Sequence, residues 1–111
     1  MKLIIAIVQD EDAGRLVSEL MNKGFGVTKL ATTGGFLRAG NTTLISGVED
    51  GQLDQALSVI ERICKSREQI TASTAPMTGS ATAGVYVPYP IRVTVGGATI
   101  FVLEVSQFLK V

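Results

Sequence analysis

The sequence contains no histidine and only one cysteine, Cys64. Zinc sites and most other transition-metal sites depend on these two residue types, and histidine is also the commonest general base. We therefore expect no metal site, no metal cofactor and no histidine-based catalysis. A single cysteine excludes a disulfide within the chain and is typical of a protein from a reducing compartment.

The chain also lacks net charge, because ten Lys and Arg residues balance ten Asp and Glu residues. No long-range field would draw in a DNA or RNA polymer or an anionic membrane, although local groups could still hold a small anion. The apolar run from Leu3 to Val8 is too short for a signal-peptide core or a membrane span. We expect a cytoplasmic protein without membrane insertion.

Apolar residues are abundant for a chain of this size. They make up 46% of the 111 residues, and the mean hydropathy is positive. The length predicts a single domain over residues 1–111. Small domains with this much apolar surface often cover part of it by self-association, so we expect an oligomer.

The first half of the chain alternates between strand and helix patterns. Residues 2–9, KLIIAIVQ, predict a strand that is apolar on both faces. A helix follows, with Asp10 as its predicted cap and Gly24 as its end. A second strand is predicted from Phe25 into Thr32 and Thr33, and a third over Asn41 to Val48.

The second half predicts one more helix and two more strands. After Gly51, a helical stripe contains Leu53, Leu57, Ile60 and Cys64, which makes the cysteine a core residue. Residues 71–84, TASTAPMTGSATAG, lack periodicity and predict a long loop. The runs 91–95 and 98–105 flank Gly96-Gly97 and predict a β-hairpin.

This order of elements predicts an α+β fold, a ferredoxin-like βαββαβ sandwich with an added C-terminal strand hairpin. Both helices would pack on one face of an antiparallel sheet. The other face is apolar as well, and a single chain offers nothing to cover it. Packing of sheets between subunits would solve that problem.

Few residues could carry catalysis. No nucleophile with a neighbouring base is recognisable, so we do not expect an enzyme. The carboxylates at Asp10 to Asp12 and at Glu49-Asp50 lie at predicted starts of helices, where capping and solvation explain them.

The stretch GGFLRAGN, residues 34–41, combines loop glycines with apolar side chains. Three glycine-containing pairs could turn backbone N–H groups towards a phosphate, although each by itself is more typical of an ordinary turn: Gly34-Gly35, Gly40-Asn41 and Gly96-Gly97. Phe36 and Leu37 could stack on a purine, and the Asn41 amide could pair with an adenine edge. These features fit a nucleotide pocket, but Phe36 and Leu37 could equally well fill a subunit interface.

Several motifs resemble those of the PII-like cyclic-di-AMP receptor family, in the superfamily of nitrogen regulatory PII proteins. They are VTKLATTGGFLRAGNTT, APMTGS, YVPYP and VGGATIFVL, and the resemblance extends from MKLIIAIVQD to FVLEV. It implies a homotrimer of PII-like subunits that binds cyclic di-AMP in clefts between them. Loop 34–40 would then be T-loop-like and loop 66–88 B-loop-like. Ligand-induced changes in these loops would signal to a protein partner that the sequence does not identify.

The resemblance also implies ligand-binding residues. Asn41 and the backbone at Gly47 would read an adenine edge, and Thr28 and Gly35 would help to hold phosphate. Phe36, Leu37 and Phe101 would pack on the faces of the bases.

Three positions depart from the family pattern. Gly26 stands where the family commonly has an arginine, Lys110 replaces a glutamine, and Glu104 replaces a proline. Lys29, Arg38 and Lys110 are candidate phosphate partners that could compensate for the missing arginine. The alternatives are a binder of another adenine nucleotide such as ATP, and a structural trimer without ligand.

Overall fold

A computed structural model of the chain describes residues 1–30, 40–73 and 89–111, which form two helices and six strands. A single 3-10 turn, Asp50–Gln52, precedes the second helix. In chain order the elements are β1 (Lys2–Gln9), α1 (Asp10–Asn22), β2 (Thr28–Leu30), β3 (Asn41–Val48), α2 (Leu53–Cys64), β4 (Arg67–Ser73), β5 (Tyr89–Val95) and β6 (Ala98–Glu104).

Four strands form one antiparallel sheet in the order β2-β3-β1-β6. With α1 after β1 and α2 after β3, this is the ferredoxin-like arrangement that the element order predicts. The strands β4 and β5 form a separate two-stranded sheet. They are therefore an insertion between α2 and β6. Neither helix in the described part of the chain is long and apolar enough to cross a membrane.

The core lies between the sheet and the two helices. From β1, the side chains of Ile4, Ala6 and Val8 are buried in one cluster with residues of both helices. The alternate residues Leu3, Ile5, Ile7 and Gln9 are only half-buried, because they point to the other side of the strand. We call this other side of the four-stranded sheet the open face.

The predicted C-terminal hairpin is wrong. The strands β5 and β6 lie in different sheets, β5 paired with β4 and β6 paired with β1. The Gly96-Gly97 pair joins the two sheets instead of closing a hairpin. Both glycines have positive φ, +84° and +93°. A Cβ on Gly96 would lie 2.6 Å from Nη1 of Arg67 and 2.7 Å from the carbonyl oxygen of Lys65, so only glycine fits at this joint.

The loop predicted over residues 71–84 is partly wrong, because the inserted hairpin takes up its first residues. The strand β4 runs to Ser73, so residues 71–73 belong to a strand, and β5 begins at Tyr89, two residues earlier than predicted. The rest of the predicted B-loop-like segment, residues 74–88, lies outside the described residues.

The start of α1 corrects two further predictions. Gln9, not Asp10, occupies the cap position, and no side chain makes a capping hydrogen bond. The Asp10 carboxylate instead accepts a hydrogen bond from the hydroxyl of Thr42 in β3. Asp12 is not solvated, since it is only 6% exposed and pairs with Arg67.

The end of α1 is close to the prediction. The helix ends at Asn22, and Gly24 has a φ of +89°, as a glycine that follows a helix commonly does. The predicted strand does not begin at Phe25, however, because the Phe25 N–H donates to the carbonyl of Leu20 and its side chain enters the core. The strand β2 starts only at Thr28.

The inserted hairpin is anchored to the start of α1 by Arg67, at the first position of β4. The Nη2 atom of Arg67 lies 2.9 Å from one carboxylate oxygen of Asp12, and Nη1 lies 3.3 Å from the other. Nη1 also donates to the carbonyl of Lys65 at 3.2 Å. The hydrogen bond to Asp12 raises the pKa of Arg67, so its guanidinium stays charged.

Cys64, the last residue of α2, is a core residue as predicted. It is 1% exposed, and burial, together with the nearby Asp12 carboxylate, raises the pKa of its thiol from 9.0 to about 11. The predicted stripe is slightly rotated on the helix. Ile60 and Cys64 are buried as predicted, Leu53 and Leu57 only border the core, and Ala56, Val59 and Ile63 are buried in addition.

The raised pKa of Cys64 predicts a pH dependence of stability. A thiol with a folded pKa above its unfolded value stabilises the folded state fully below pH 9, and this contribution is lost between pH 9 and about 11. The free energy of unfolding should therefore fall more steeply with pH in this range for the native chain than for Cys64→Ala. Urea titrations at a series of pH values test this, and equal slopes would contradict it.

Loss of the Asp12–Arg67 pair should loosen the inserted hairpin. Arg67→Met keeps the length of the side chain but leaves the buried Asp12 carboxylate without its cation, which is unfavourable. We expect a lower melting temperature and faster hydrogen exchange at the β4 and β5 amides. Arg92→Met on β5 is the matched control. Arg92 is exposed and lies 4.0 Å from the exposed Glu68, so this ion pair contributes little to stability. Equal effects of the two substitutions would show that the Asp12 contact does not anchor the hairpin.

Candidate functional site

A polar cleft of about 350 Å³ opens where β1 ends and where β3 and β6 begin. Two carboxamide side chains, those of Gln9 and Asn41, line it, and we call it the amide cleft. Its lining residues are Ile7, Gln9, Asn41, Gly96, Gly97, Ala98 and Thr99. It therefore contains one residue of the predicted ligand site, Asn41, and two glycines that the sequence singled out.

The position of Asn41 is fixed by the start of α1. The N–H of Asp10 donates to the carbonyl of Gly40 at 2.8 Å, and the Thr42 hydroxyl donates to the Asp10 carboxylate. Gly40 has a φ of +97°, which turns the chain into β3. Asn41 thus lies at a strand end that hydrogen bonds on both sides hold to the start of α1.

The Gly96-Gly97 pair closes one side of the amide cleft, but its N–H groups are already used. The N–H of Gly96 donates to Oε1 of Gln9 at 2.7 Å, and the N–H of Gly97 donates to the carbonyl of Cys64. Neither group is left for a ligand in this arrangement. The interpretation of Gly96-Gly97 as a phosphate nest is therefore wrong, and its role here is to join two sheets.

Four of the residues predicted to bind ligand lie on the open face. Residues paired across an antiparallel ladder point to the same face. Thr28 pairs with Ile45, Ile45 with Ile5, and Ile5 with Phe101, so these four residues form one row across all four strands. Gly47 pairs with Leu3, and Asn41 pairs with Gln9, so both belong to the same face.

A single chain does not bring these four residues together. Thr28 and Phe101 lie on opposite edge strands, three strand spacings or about 14 Å apart. Asn41 and Ile45, the partner of Thr28, are separated by four residues of β3, or about 13 Å. Phe101 is 51% exposed, so its ring is available to something outside the chain.

The other predicted residues are placed differently or lie outside the described residues. The predicted residues outside the described part of the chain are Gly35, Phe36, Leu37 and Arg38. Lys29 pairs with Leu44, a core residue, and so points to the opposite side of β2 from Thr28. Lys110 is exposed beyond the end of β6.

Sequence reasoning missed Gln9 and Thr99 as lining residues. The signal for Gln9 was present, since it is the one polar residue in the apolar run of β1 that has the same parity as Leu3, Ile5 and Ile7. Its proximity to Gly96 could not be read from the sequence, because it depends on β6 pairing with β1.

A second groove, of about 570 Å³, lies between α2 and β6, on the helix side of the sheet. Its walls are mainly apolar, and Glu61, Lys65 and Ser66 add polar groups. It contains none of the predicted ligand-binding residues. The amide cleft and the open face are therefore the better candidates for the functional site.

Comparison with known proteins gives a family and a structural relative. A model of the family described as "Cyclic-di-AMP receptor" matches residues 1–111. A crystal structure of a functionally unknown protein from Pediococcus pentosaceus ATCC 25745 matches with a TM-score of 0.77 and 41% sequence identity. The match covers 99% of this chain and 96% of that chain, so the α+β architecture is common to both over nearly their full lengths.

Proposed function

The chain belongs to the cyclic-di-AMP receptor family, and we propose that it is a non-enzymatic signalling protein that binds cyclic di-AMP between its subunits. The observation that carries this proposal is the distribution of Thr28, Asn41, Gly47 and Phe101. All four lie on the open face, yet on strands too far apart for one base to reach them all. A second subunit that presents its own edge strand would complete the site.

The open face is suited to such an assembly. It carries exposed or half-buried apolar side chains on all four strands, which a second sheet would cover: Leu3, Ile5, Ile7, Leu30, Ile45, Phe101 and Leu103. Burial of this surface contributes about 25 cal/mol for each Å² removed from water. We propose a cytoplasmic homotrimer in which the β2–β3 edge of one subunit lies near the β6 edge of the next.

The proposed contacts follow from the chemistry of each residue. The Asn41 carboxamide offers a donor and an acceptor to an adenine edge, and the Phe101 ring offers a face for stacking. Gly47 would let a base approach the backbone, since no atom lies within 4 Å of where its Cβ would be. Thr28 would hold phosphate, with Gly35, Phe36 and Leu37 of loop 34–40 as further contacts.

Signalling would then be a change in order or conformation. Ligand contacts to loop 34–40, and through the amide cleft to the base of segment 66–88, would alter the surface offered to a protein partner. Gly96, which follows β5 of the inserted hairpin, donates a hydrogen bond to Gln9 in the amide cleft.

Calorimetry with cyclic di-AMP, ATP and cyclic di-GMP tests the proposal. We expect cyclic di-AMP to bind most tightly, and Asn41→Ala to weaken binding about tenfold, because a buried hydrogen-bond pair is lost. Asn22→Ala, an exposed amide at the end of α1, is the matched control and should leave the affinity unchanged. Light scattering on the same samples gives the number of subunits.

Other outcomes separate the alternatives. A preference for ATP would favour an adenine mononucleotide as the ligand. Equal or absent heats for all three compounds would contradict binding of cyclic di-AMP. A trimer whose ligand responses do not change with Asn41→Ala would favour a structural assembly.

Replacing Gly26 with arginine should strengthen binding. The φ of Gly26 is not positive, no atom lies within 4 Å of a Cβ there, and its carbonyl is held by the Ser46 hydroxyl at 2.7 Å. The backbone therefore accepts a side chain without strain. A new Arg–phosphate contact is worth about 1.5–3 kcal/mol, or roughly a tenfold to hundredfold gain in affinity.

Gly26→Gln is the control for this substitution, because it adds a polar side chain without a charge. The gain with arginine should shrink as salt concentration rises, since the contact is electrostatic. An equal gain for glutamine, or none for arginine, would show that Gly26 does not lie near phosphate.

A further inference from the structure

The amide cleft contains a second carboxamide, that of Gln9, to which none of the predictions above gives a role. Gln9 is the direct cross-strand partner of Asn41 at the end of the β1–β3 ladder. Side chains in such a pair lie about 5 Å apart at Cβ and point to the same face. The two carboxamides therefore lie side by side at the rim of the open face.

The orientation of the Gln9 carboxamide is fixed by Gly96. Its Oε1 atom accepts the Gly96 N–H at 2.7 Å, which identifies the oxygen and leaves the NH2 group directed elsewhere. Among the described residues, none accepts a hydrogen bond from that NH2 group. An amide nitrogen can only donate, so Gln9 presents hydrogen-bond donors to a ligand.

The electrostatics of the amide cleft favour a base over a phosphate. Its polar side chains are the two carboxamides and the Thr99 hydroxyl, all of them uncharged. The acidic residues Asp10, Glu11 and Asp12 follow Gln9 directly in the first turn of α1. A phosphate would meet neither a cation nor a free N–H group of Gly96 or Gly97, whereas a neutral heterocycle would meet neutral donors and acceptors.

We propose that Gln9 is a specificity-determining residue that reads the adenine base together with Asn41. This inference rests on the proposed function and adds a residue to its site. On the pairing edge of adenine, N1 carries no hydrogen and accepts from the Gln9 NH2 group, whereas N3 and N7 accept in both purines and do not distinguish them. Guanine instead turns N1–H and an exocyclic NH2 group outwards on its pairing edge, and these donors would oppose those of Gln9.

Two substitutions separate this role from support of the fold. Gln9→Glu keeps the length of the side chain and an oxygen for the Gly96 N–H, but it exchanges the donor for an acceptor. Gln9→Met keeps the approximate length and removes all hydrogen bonding without adding charge. Gln55→Glu, on the exposed side of α2, is the control for the added negative charge.

We expect Gln9→Glu and Gln9→Met each to weaken binding of cyclic di-AMP at least tenfold in calorimetry, and Gln55→Glu to have no effect. The ratio of affinities for cyclic di-AMP and cyclic di-GMP should fall with Gln9→Glu, because an acceptor suits the guanine edge. Each titration is run at a temperature where melting curves show the ligand-free variant to be folded.

Affinities within twofold of the native value for either Gln9 variant would overturn the inference and leave the proposed function standing. An unchanged ratio between the two cyclic dinucleotides would also overturn it, since a purely structural role would leave that ratio alone. If the native chain bound only ATP, and both Gln9 variants weakened it, the inference would hold although the proposed ligand was wrong. No heat with any adenine nucleotide would overturn both.

Discussion

The central strand β1 is apolar on both of its faces, but the helices of the chain cover only one of them. Ile4, Ala6 and Val8 are enclosed by the two helices, while the side chains that alternate with them on β1 remain partly open. A sheet has two faces, and the described residues supply a helical layer on only one of them, so nothing among these residues covers the second apolar face. This uncovered apolar face accounts for part of the hydrophobic composition. It is the surface on which the proposed assembly would form, and it carries four of the predicted ligand residues.

The end of β1 has a second role, because three parts of the molecule meet there. Asp10 holds the start of β3 through Gly40 and Thr42, and Asp12 holds the inserted hairpin through Arg67. These acidic residues are therefore fixed by contacts distant in sequence and do not act as simple helix caps. The hairpin also contacts the amide cleft directly, through the hydrogen bond from the Gly96 N–H to Gln9.

The helices and strands with strong periodicity were predictable from the sequence, but the pairing of the strands and the contacts between distant residues were less so. The bounds of β1 and β3 follow from their runs of apolar and β-branched residues, and Cys64 was correctly placed in the core. The Gly-Gly joint was misread, because two strand runs around a glycine pair look the same whether they pair with each other or with different strands. Asp12 was misread since its partner Arg67 is 55 residues away. The contacts predicted for residues 34–38 stay predictions.

Asn41 and Thr28, which are proposed to read a base and to hold phosphate, lie apart on the open face. Asn41 lies at one end of β3, whereas Thr28 pairs four residues further along that strand, about 13 Å away. The end with Asn41 is lined by uncharged polar side chains and bordered by acids, which suits a neutral heterocycle better than a negatively charged group. The end with Thr28 lacks the arginine that the family pattern has two residues earlier, at Gly26. In the proposed site, the absence of an arginine at Gly26 would therefore weaken the hold on phosphate without removing the contact between Asn41 and a base.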